Sequence, residues 1–273
     1  MKPYQSSRLS VKPELTEPDL TSAPSELSLL YEDDAMVAIN KPAGLLVHRS
    51  WLDKDETQFA LQMTRNLVGC RVFPVHRLDR PTSGVLLFAK NAAVARTLSE
   101  AFSDHAIDKD YLAIVRGYLP EPKGTIDYAL SHQLDDIADK YTALDKPAQA
   151  AITHWRALAQ IELPFAVSKK HTTSRYSLVA LRPETGRKHQ LRRHLRHIFH
   201  PIVGDSTHGD GRHNRFFREH YGCDRMLLHA RQLHLAHPMS GEPLRISAPL
   251  DTSWQQLLTE FAWQAAFESS FLD

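Results

Sequence analysis

The chain has only two cysteines, Cys70 and Cys223, too far apart in sequence to suggest a disulfide framework or a C-x-x-C metal pair. Such usage fits a reducing, intracellular setting. No apolar run approaches the length that spans a bilayer. Lys2 has no apolar segment behind it and acids begin at Glu14, so the N-terminus does not read as a secretory signal. A Gly-rich phosphate loop, an H-E-x-x-H pattern, an internal repeat and low-complexity tracts are all missing. Net charge is scarce as well, at +1. These gaps argue against a membrane span, a disulfide scaffold and the common phosphate-loop enzymes. They leave the expectation of a soluble, cytoplasmic monomer without membrane attachment.

The charge that is present is unevenly placed. From Met1 to Asp34 seven acids stand against three bases, whereas Arg182 to Arg218 holds nine Lys/Arg, three acids and six His. A basic tract of this kind is either a solvated face or the footprint of a polyanion partner. Residues 1–27 are polar, with Pro3, Pro13, Pro18 and Pro24, and read as a flexible tail. Residues 28–273 read as one catalytic domain, long enough for a sizeable core.

Periodicity predicts strands at 29–31, 36–39, 84–89, 110–119, 125–130, 149–158, 175–182, 227–235 and 243–247. Helices are predicted at 55–68, after the capping residue Asn91, at 187–199, and after Asp251 or Ser253. Strands outnumber helices and do not alternate with them. The fold class is therefore α+β, a mostly antiparallel central sheet with flanking helices. Residues 205–224 (DSTHGDGRHNRFFREHYGCD) read as a long polar loop.

Three segments carry chemistry. In PVHRLDRPTSGVLLFAK, Asp79 is the lone acid among His76, Arg77 and Arg80, just ahead of an apolar strand. It is either a structural ion pair at a turn or a catalytic anion. In LRPETGRKHQLRRHLRHIFHP, Leu191, Leu195 and Ile198 face one way, while Lys188, Arg192 and Arg196 recur at i, i+4, i+8 as a cationic stripe. An arginine from this helix could reach Asp79 or an RNA phosphate. In KDYLAIVRGYL, Tyr111 is either a core residue or a platform for an unpaired base. The histidines argue only weakly for a metal site: GDSTHGD spaces Asp205 and His208 as D-x-x-H rather than D-x-H, and helical histidines among arginines more often supply hydrogen bonds.

HRLDRPTSG, KDYLAIVRG and RPETGRKHQLRRHL, in this order, resemble the pseudouridine synthases of the RluA class. YEDDAMVAINKPAGLLVH, HPIVGD and LLHARQLHLAHP extend the resemblance from Leu29 to Trp263. HRSWLDKDE (48–56) and LDDIADKY (134–141) are similar to the branch that modifies uridine 65 of tRNA. The S4-type RNA-binding domain common in ribosomal-RNA members is not expected here, since the residues before Leu29 are few and unpatterned. The resemblance implies the pseudouridine synthase fold with a catalytic cleft, an isomerase, no cofactor and no metal. Its partner would be tRNA, with large-subunit rRNA as the alternative. By resemblance, Asp79 is the catalytic carboxylate, Tyr111 stacks on the target uracil, Arg192 pairs with the carboxylate, and Arg77 fills the space of the flipped base. Arg80, Arg187, Lys188, Arg193 and Arg196 would then join Arg77 in holding RNA. Two other classes remain open: a non-catalytic RNA-binding protein, and a metal-dependent phosphoesterase built on the His-rich 189–213 region.

Overall fold

The computed structural model describes residues 27–48, 57–131 and 147–269. The tail reading for residues 1–26 lies outside these. So do residues 49–56 and 134–141, which narrowed the resemblance to the tRNA branch. Leu27, read from sequence as the last tail residue, is buried with Val37 and Ile39.

The described strands are β1 (Ser28–Glu32), β2 (Met36–Lys41), β3 (Phe73–Pro74), β4 (Ser83–Ala89), β5 (Asp108–Arg116), β6 (Lys123–Asp127), β7 (Ile152–Leu163), β8 (Ser174–Pro183), β9 (Leu228–Ala236) and β10 (Pro243–Ser247). The helices are α1 (Ala60–Val68), α2 (Ala92–Ser103), α3 (Gln190–His197), α4 (Gly211–Tyr221), α5 (Thr252–Glu260) and α6 (Gln264–Ser269). Asn91 and Asp251 cap α2 and α5 by accepting the N–H of Val94 and Trp254.

All ten strands form one sheet, in the order β1-β2-β4-β9-β5-β8-β7-β6, with β3 beside β4 and β10 beside β9. Each pairing is antiparallel except β4 with β9. That parallel junction joins the N-terminal strands to the rest and fixes the turn after Asp79. Gly84 has φ +114°, and a Cβ there would lie 2.1 Å from the Ala230 carbonyl oxygen, so only glycine lets the two strands meet. Every residue of β4 is buried, as befits a strand covered on both faces.

Tyr111 packs against two apolar clusters on one face. In the first, α3 sets Leu191 and Leu195 on Val115, Val179 and Leu181. In the second, Ala60 of α1 meets Val37, Ile39, Leu86 and Phe88. The other face carries α2 over Val85 and Leu87, and Phe217 of α4 and Trp254 of α5 over Leu112, Tyr176 and Leu178. A pocket opens on the first face, beside Tyr111.

Two sequence expectations need correction. The supposed loop 205–224 contains α4, which buries His213 and Phe217 at i, i+4. Its helical period was masked by the arginines and histidines around the aromatics. The helix expected at 187–199 is only Gln190–His197. His189 takes φ +53° and Phe199 φ +66°, and these left-handed residues delimit it. The Lys188–Arg192–Arg196 stripe is therefore not a helical face: Lys188 precedes the helix, Arg192 is buried and Arg196 is exposed.

Candidate active site

The segment from Arg77 to Thr82 is short and firmly held. Leu78 enters the core, and the Thr82 N–H donates to the Asp79 carbonyl at 3.0 Å. Lys41, wholly buried at the end of β2, donates from Nζ to the carbonyls of Pro42, Leu45 and Arg80 at 2.9, 2.8 and 3.1 Å. Burial, and then the charge of Arg225, pull its pKa down to about 7. Arg80 Nε donates to the Gly44 carbonyl at 3.0 Å, and the Gly44 N–H returns a bond to the Arg80 carbonyl at 2.9 Å. The β2 turn thus straps the loop that carries Asp79.

His76 is not one of the cations around Asp79, contrary to the sequence expectation. Its Nε2 accepts the Leu87 N–H at 2.9 Å, its ring stacks on Phe102, and burial pulls its pKa down to about 3. The cation that meets Asp79 is Arg192, with Nη1 3.1 Å from Oδ2. Arg192 is 3% exposed. Its other edge grips Asp205 in a fork, Nε to Oδ2 at 2.7 Å and Nη2 to Oδ1 at 2.8 Å. Asp205 also accepts the N–H groups of Thr207 and His208, both at 2.9 Å. Burial works against the charge on Arg192, but Asp205 and then Asp79 outweigh it, and the guanidinium pKa stays above its usual value.

Asp205 was missed as a site residue. It was weighed only as a metal ligand, and nothing local marks it as the partner of an arginine thirteen positions earlier. The available signal was indirect: an inward-facing arginine needs a carboxylate, and HPIVGD supplies one.

Tyr111 sits at a bulge between β5 and β9. Burial, and then Asp79, push its hydroxyl pKa well above the ordinary tyrosine value. Asp79, Tyr111 and Arg192 line one pocket of about 260 Å³, together with Arg77, Arg187, Lys188, His189 and Lys109. Of the other expected RNA contacts, Arg80 belongs to the strap, Arg193 donates to Ser131 Oγ at 3.1 Å, and neither it nor Arg196 lines the pocket.

A larger cavity, about 560 Å³, is lined by Arg182, Arg156, Lys123 and Asp110. Arg182 flanks Leu181, which pairs with Tyr111, so its side chain points to the opposite sheet face. It is tied there to Asp110 at 2.7 and 2.9 Å. Size would favour that cavity, whereas the buried guanidinium and its two carboxylates favour the smaller one. The basic tract from Arg182 to Arg218 is accordingly split across the sheet.

Its histidines are also dispersed. His194 contacts Thr153 Oγ1 and the Tyr128 carbonyl, His200 the Arg116 carbonyl, and His213 the Tyr176 hydroxyl. Among the described residues, no group of three or more His, Cys, Asp or Glu is placed to hold a metal ion.

The family model described as RNA pseudouridylate synthase matches residues 35–197. The chain is 56% identical to tRNA pseudouridine synthase C of Yersinia pestis over 237 residues, which cover 87% of this chain and 91% of that protein. It is 57% identical to the protein of the same name from Haemophilus ducreyi over 238 residues, 87% and 97% of the two chains. Among solved structures, Human RNA Pseudouridylate Synthase Domain Containing 4 aligns with a TM-score of 0.64 at 26% identity, over 86% of this chain and 93% of that one. Domain Containing 1 aligns with a TM-score of 0.62 at 26% identity, over 91% and 98%.

Proposed function

The chain belongs to the RNA pseudouridylate synthase family, and on that premise we propose that it isomerises uridine 65 of tRNA to pseudouridine, with Asp79 as the catalytic carboxylate. The observation that carries the site assignment is the Asp79–Arg192–Asp205 arrangement, whose first two members line a nucleoside-sized pocket with Tyr111. A guanidinium gripped by Asp205 cannot follow Asp79 if the latter moves, so it fixes where the reacting carboxylate oxygen stands. Such a pair supplies position more than stability, because desolvation cancels much of its Coulomb energy.

In the reaction the N1–C1′ bond breaks, the uracil turns, and C5 bonds to C1′. The net change is transfer of a proton from C5 to N1, with nothing oxidised or reduced. The target nucleotide must first leave its stack, at a cost of about a few kcal/mol. Arg77, Arg187 and Lys188, which line the pocket, would offset part of this by holding phosphates. Tyr111 would stack on the detached uracil. Asp79 has two routes, attack at C1′ or removal of the C2′ proton, and a deuterium isotope effect at C2′ separates them.

We place the enzyme in the cytoplasm as a monomer acting on tRNA. Among the described residues, no helix is long and apolar enough to cross a membrane. The test is to incubate the purified protein with unmodified tRNA and with large-subunit rRNA, with EDTA present, and to map pseudouridine. Modification of tRNA at uridine 65 is expected. Modification of rRNA alone would overturn the tRNA assignment, and dependence on a divalent ion would revive the phosphoesterase reading.

A further inference from the structure

The synthase reading leaves the acceptor of one proton to be assigned. Once C5 has bonded to C1′, it still carries its hydrogen, and that proton must leave before the ring regains its double bond. Asp79 is committed to the ribose. Tyr111 is a poor acceptor, since its buried hydroxyl holds its proton far above neutrality. Arg77, Arg187 and Arg192 are cations, and so are Lys188 and Lys109, although burial lowers the Lys109 pKa against the opposing charge of Asp108. Among the described residues, His189 is the one imidazole lining the pocket.

Its placement is specific. His189 has φ +53°, a left-handed conformation uncommon outside glycine although histidine is among the residues that take it more readily, and His105, Phe199 and Ala262 share it. Unusual backbone of this kind persists where the surroundings over-determine it, often at functional sites. The residue precedes α3 but its side chain makes no capping bond. Instead Nε2 stands 3.9 Å from Asp79 Oδ2, and Nδ1 stands 3.1 Å from Nε2 of His208. His208 is 8% exposed and follows Asp205 in the loop that grips Arg192. One loop therefore orders both partners of Asp79, the guanidinium directly and the imidazole through His208.

We propose that His189 is the general base that removes the C5 proton, and that His208 is the positioning residue that sets its tautomer. With His208 protonated on Nδ1, its Nε2 accepts from His189 Nδ1–H, and His189 Nε2 is left as a bare acceptor toward the pocket. The C5–H proton passes to this nitrogen. The C–H electron pair becomes C5=C6, the former C6=N1 pair moves onto N1, and N1 takes a proton from the imidazolium or from water. Of the charged groups facing His189, Asp79 and Asp205 favour the imidazolium, while Arg192 and Lys188 disfavour it. Burial is the largest influence and acts in the same sense as the cations, so the imidazole pKa lies below its ordinary value.

This inference depends on the synthase reading, and its test separates the two. Full-length wild type, His189→Asn and His189→Gly are compared in single-turnover assays on tRNA carrying protium or deuterium at C5 of uridine. Asparagine and glycine both tolerate the left-handed backbone, so the fold should hold, with melting curves as the check. Wild type forming no pseudouridine would sink the synthase reading itself. With wild type active, the proposal expects a fall of about 10²-fold or more in His189→Asn and a C5 isotope effect larger than that of wild type. Added imidazole should restore rate to His189→Gly. A variant within threefold of wild type, or a slow one with no enlarged C5 isotope effect, would show that His189 only shapes the helix start.

Discussion

Helices α3 and α4 are close in composition. QLRRHLRH and GRHNRFFREHY each contain three arginines and two histidines, and neither has an acid in its first turn. In sequence both belong to one basic tract. In the fold they lie on opposite faces of the sheet and do opposite things. Helix α3 turns Arg192 inward, where a charge at 3% exposure survives only because Asp205 and Asp79 meet it. Helix α4 turns Phe217 inward and keeps its arginines outside, with Arg212 on Asp210 and Arg218 on Asp224. The number of cations does not mark the site. A cation out of water does, because burial forces the choice of partners.

The largest expected effect breaks the comparison at its centre. Asp79→Asn removes the anion while keeping the shape. Pseudouridine formation on tRNA should fall by about 10³-fold or more, with the melting temperature close to that of wild type. Substantial turnover by this variant would remove Asp79 from the mechanism.

Two aspartates five positions apart provide the next contrast. Asp205→Ala would strand the Arg192 guanidinium, and losing one partner of a buried pair costs about 3–5 kcal/mol. The folded fraction should also turn over slowly, because Arg192 is no longer held against Asp79. Asp210 is the N-cap of α4 and a partner of Arg116. Asp210→Ala should cost about 1 kcal/mol and leave kcat unchanged. Denaturant melts and kcat for both variants decide the matter, and equal losses of kcat would mean that α4 is coupled to the site.

How far the site could be read from sequence follows the same division. Asp79 and Tyr111 sit in short segments whose residue types already allow an anion and a stacking ring, whereas Arg192 read as one member of a cationic stripe and its place beside Asp79 came from the resemblance. The antiparallel α+β layout was legible from strand spacing, and the capping roles of Asn91 and Asp251 from residue type. Asp205, His189, His208 and Lys41 were not, since each acts through contacts made only after folding. Lys41 looks like an ordinary turn lysine until three carbonyls close on its Nζ. Helix α4 was lost to the opposite error. Its polar residues suggested a loop, although His213 and Phe217 already stood one turn apart.

The buried histidines make the two regions comparable in acid. His208, behind α3, and His213, on α4, are each held down to about 4 by burial. An unfolded histidine titrates near 6.5, so below that pH the unfolded chain binds a proton that the folded one refuses. Stability is therefore unaffected above about pH 6.5 and is lost as pH falls toward 4, at about 1.4 kcal/mol per pH unit for each histidine. His213→Asn and His208→Asn should each flatten the decline of melting temperature with acid by about one proton's worth. Only the His208 variant should also lose turnover. An acid slope unchanged in both would mean that these rings are protonated in the fold.

The smallest effect concerns exposed charge, and it asks whether α3 and α4 differ toward RNA as they differ inside the protein. Arg193 and Arg196 lie on α3 and Lys188 just before it, on the face that carries the pocket. Arg212, Arg215 and Arg218 lie on α4, which covers the other face. Replacing a phosphate-binding cation releases fewer counterions on association, and each lost contact lowers the slope of log affinity against log salt by about 0.7–0.9. Substituting Lys188, Arg193 and Arg196 together by Gln should reduce the slope for tRNA by about 2, since Arg193 is partly engaged with Ser131. Because none of the three touches Asp79, the kcat of bound tRNA should change little. The same substitution of Arg212, Arg215 and Arg218 should leave the slope where it was, as RNA lying across the pocket would not reach that face. Filter binding from low to moderate salt measures both. Equal slopes in the two triple variants would mean that RNA wraps both faces, and that the pocket face alone does not define the footprint.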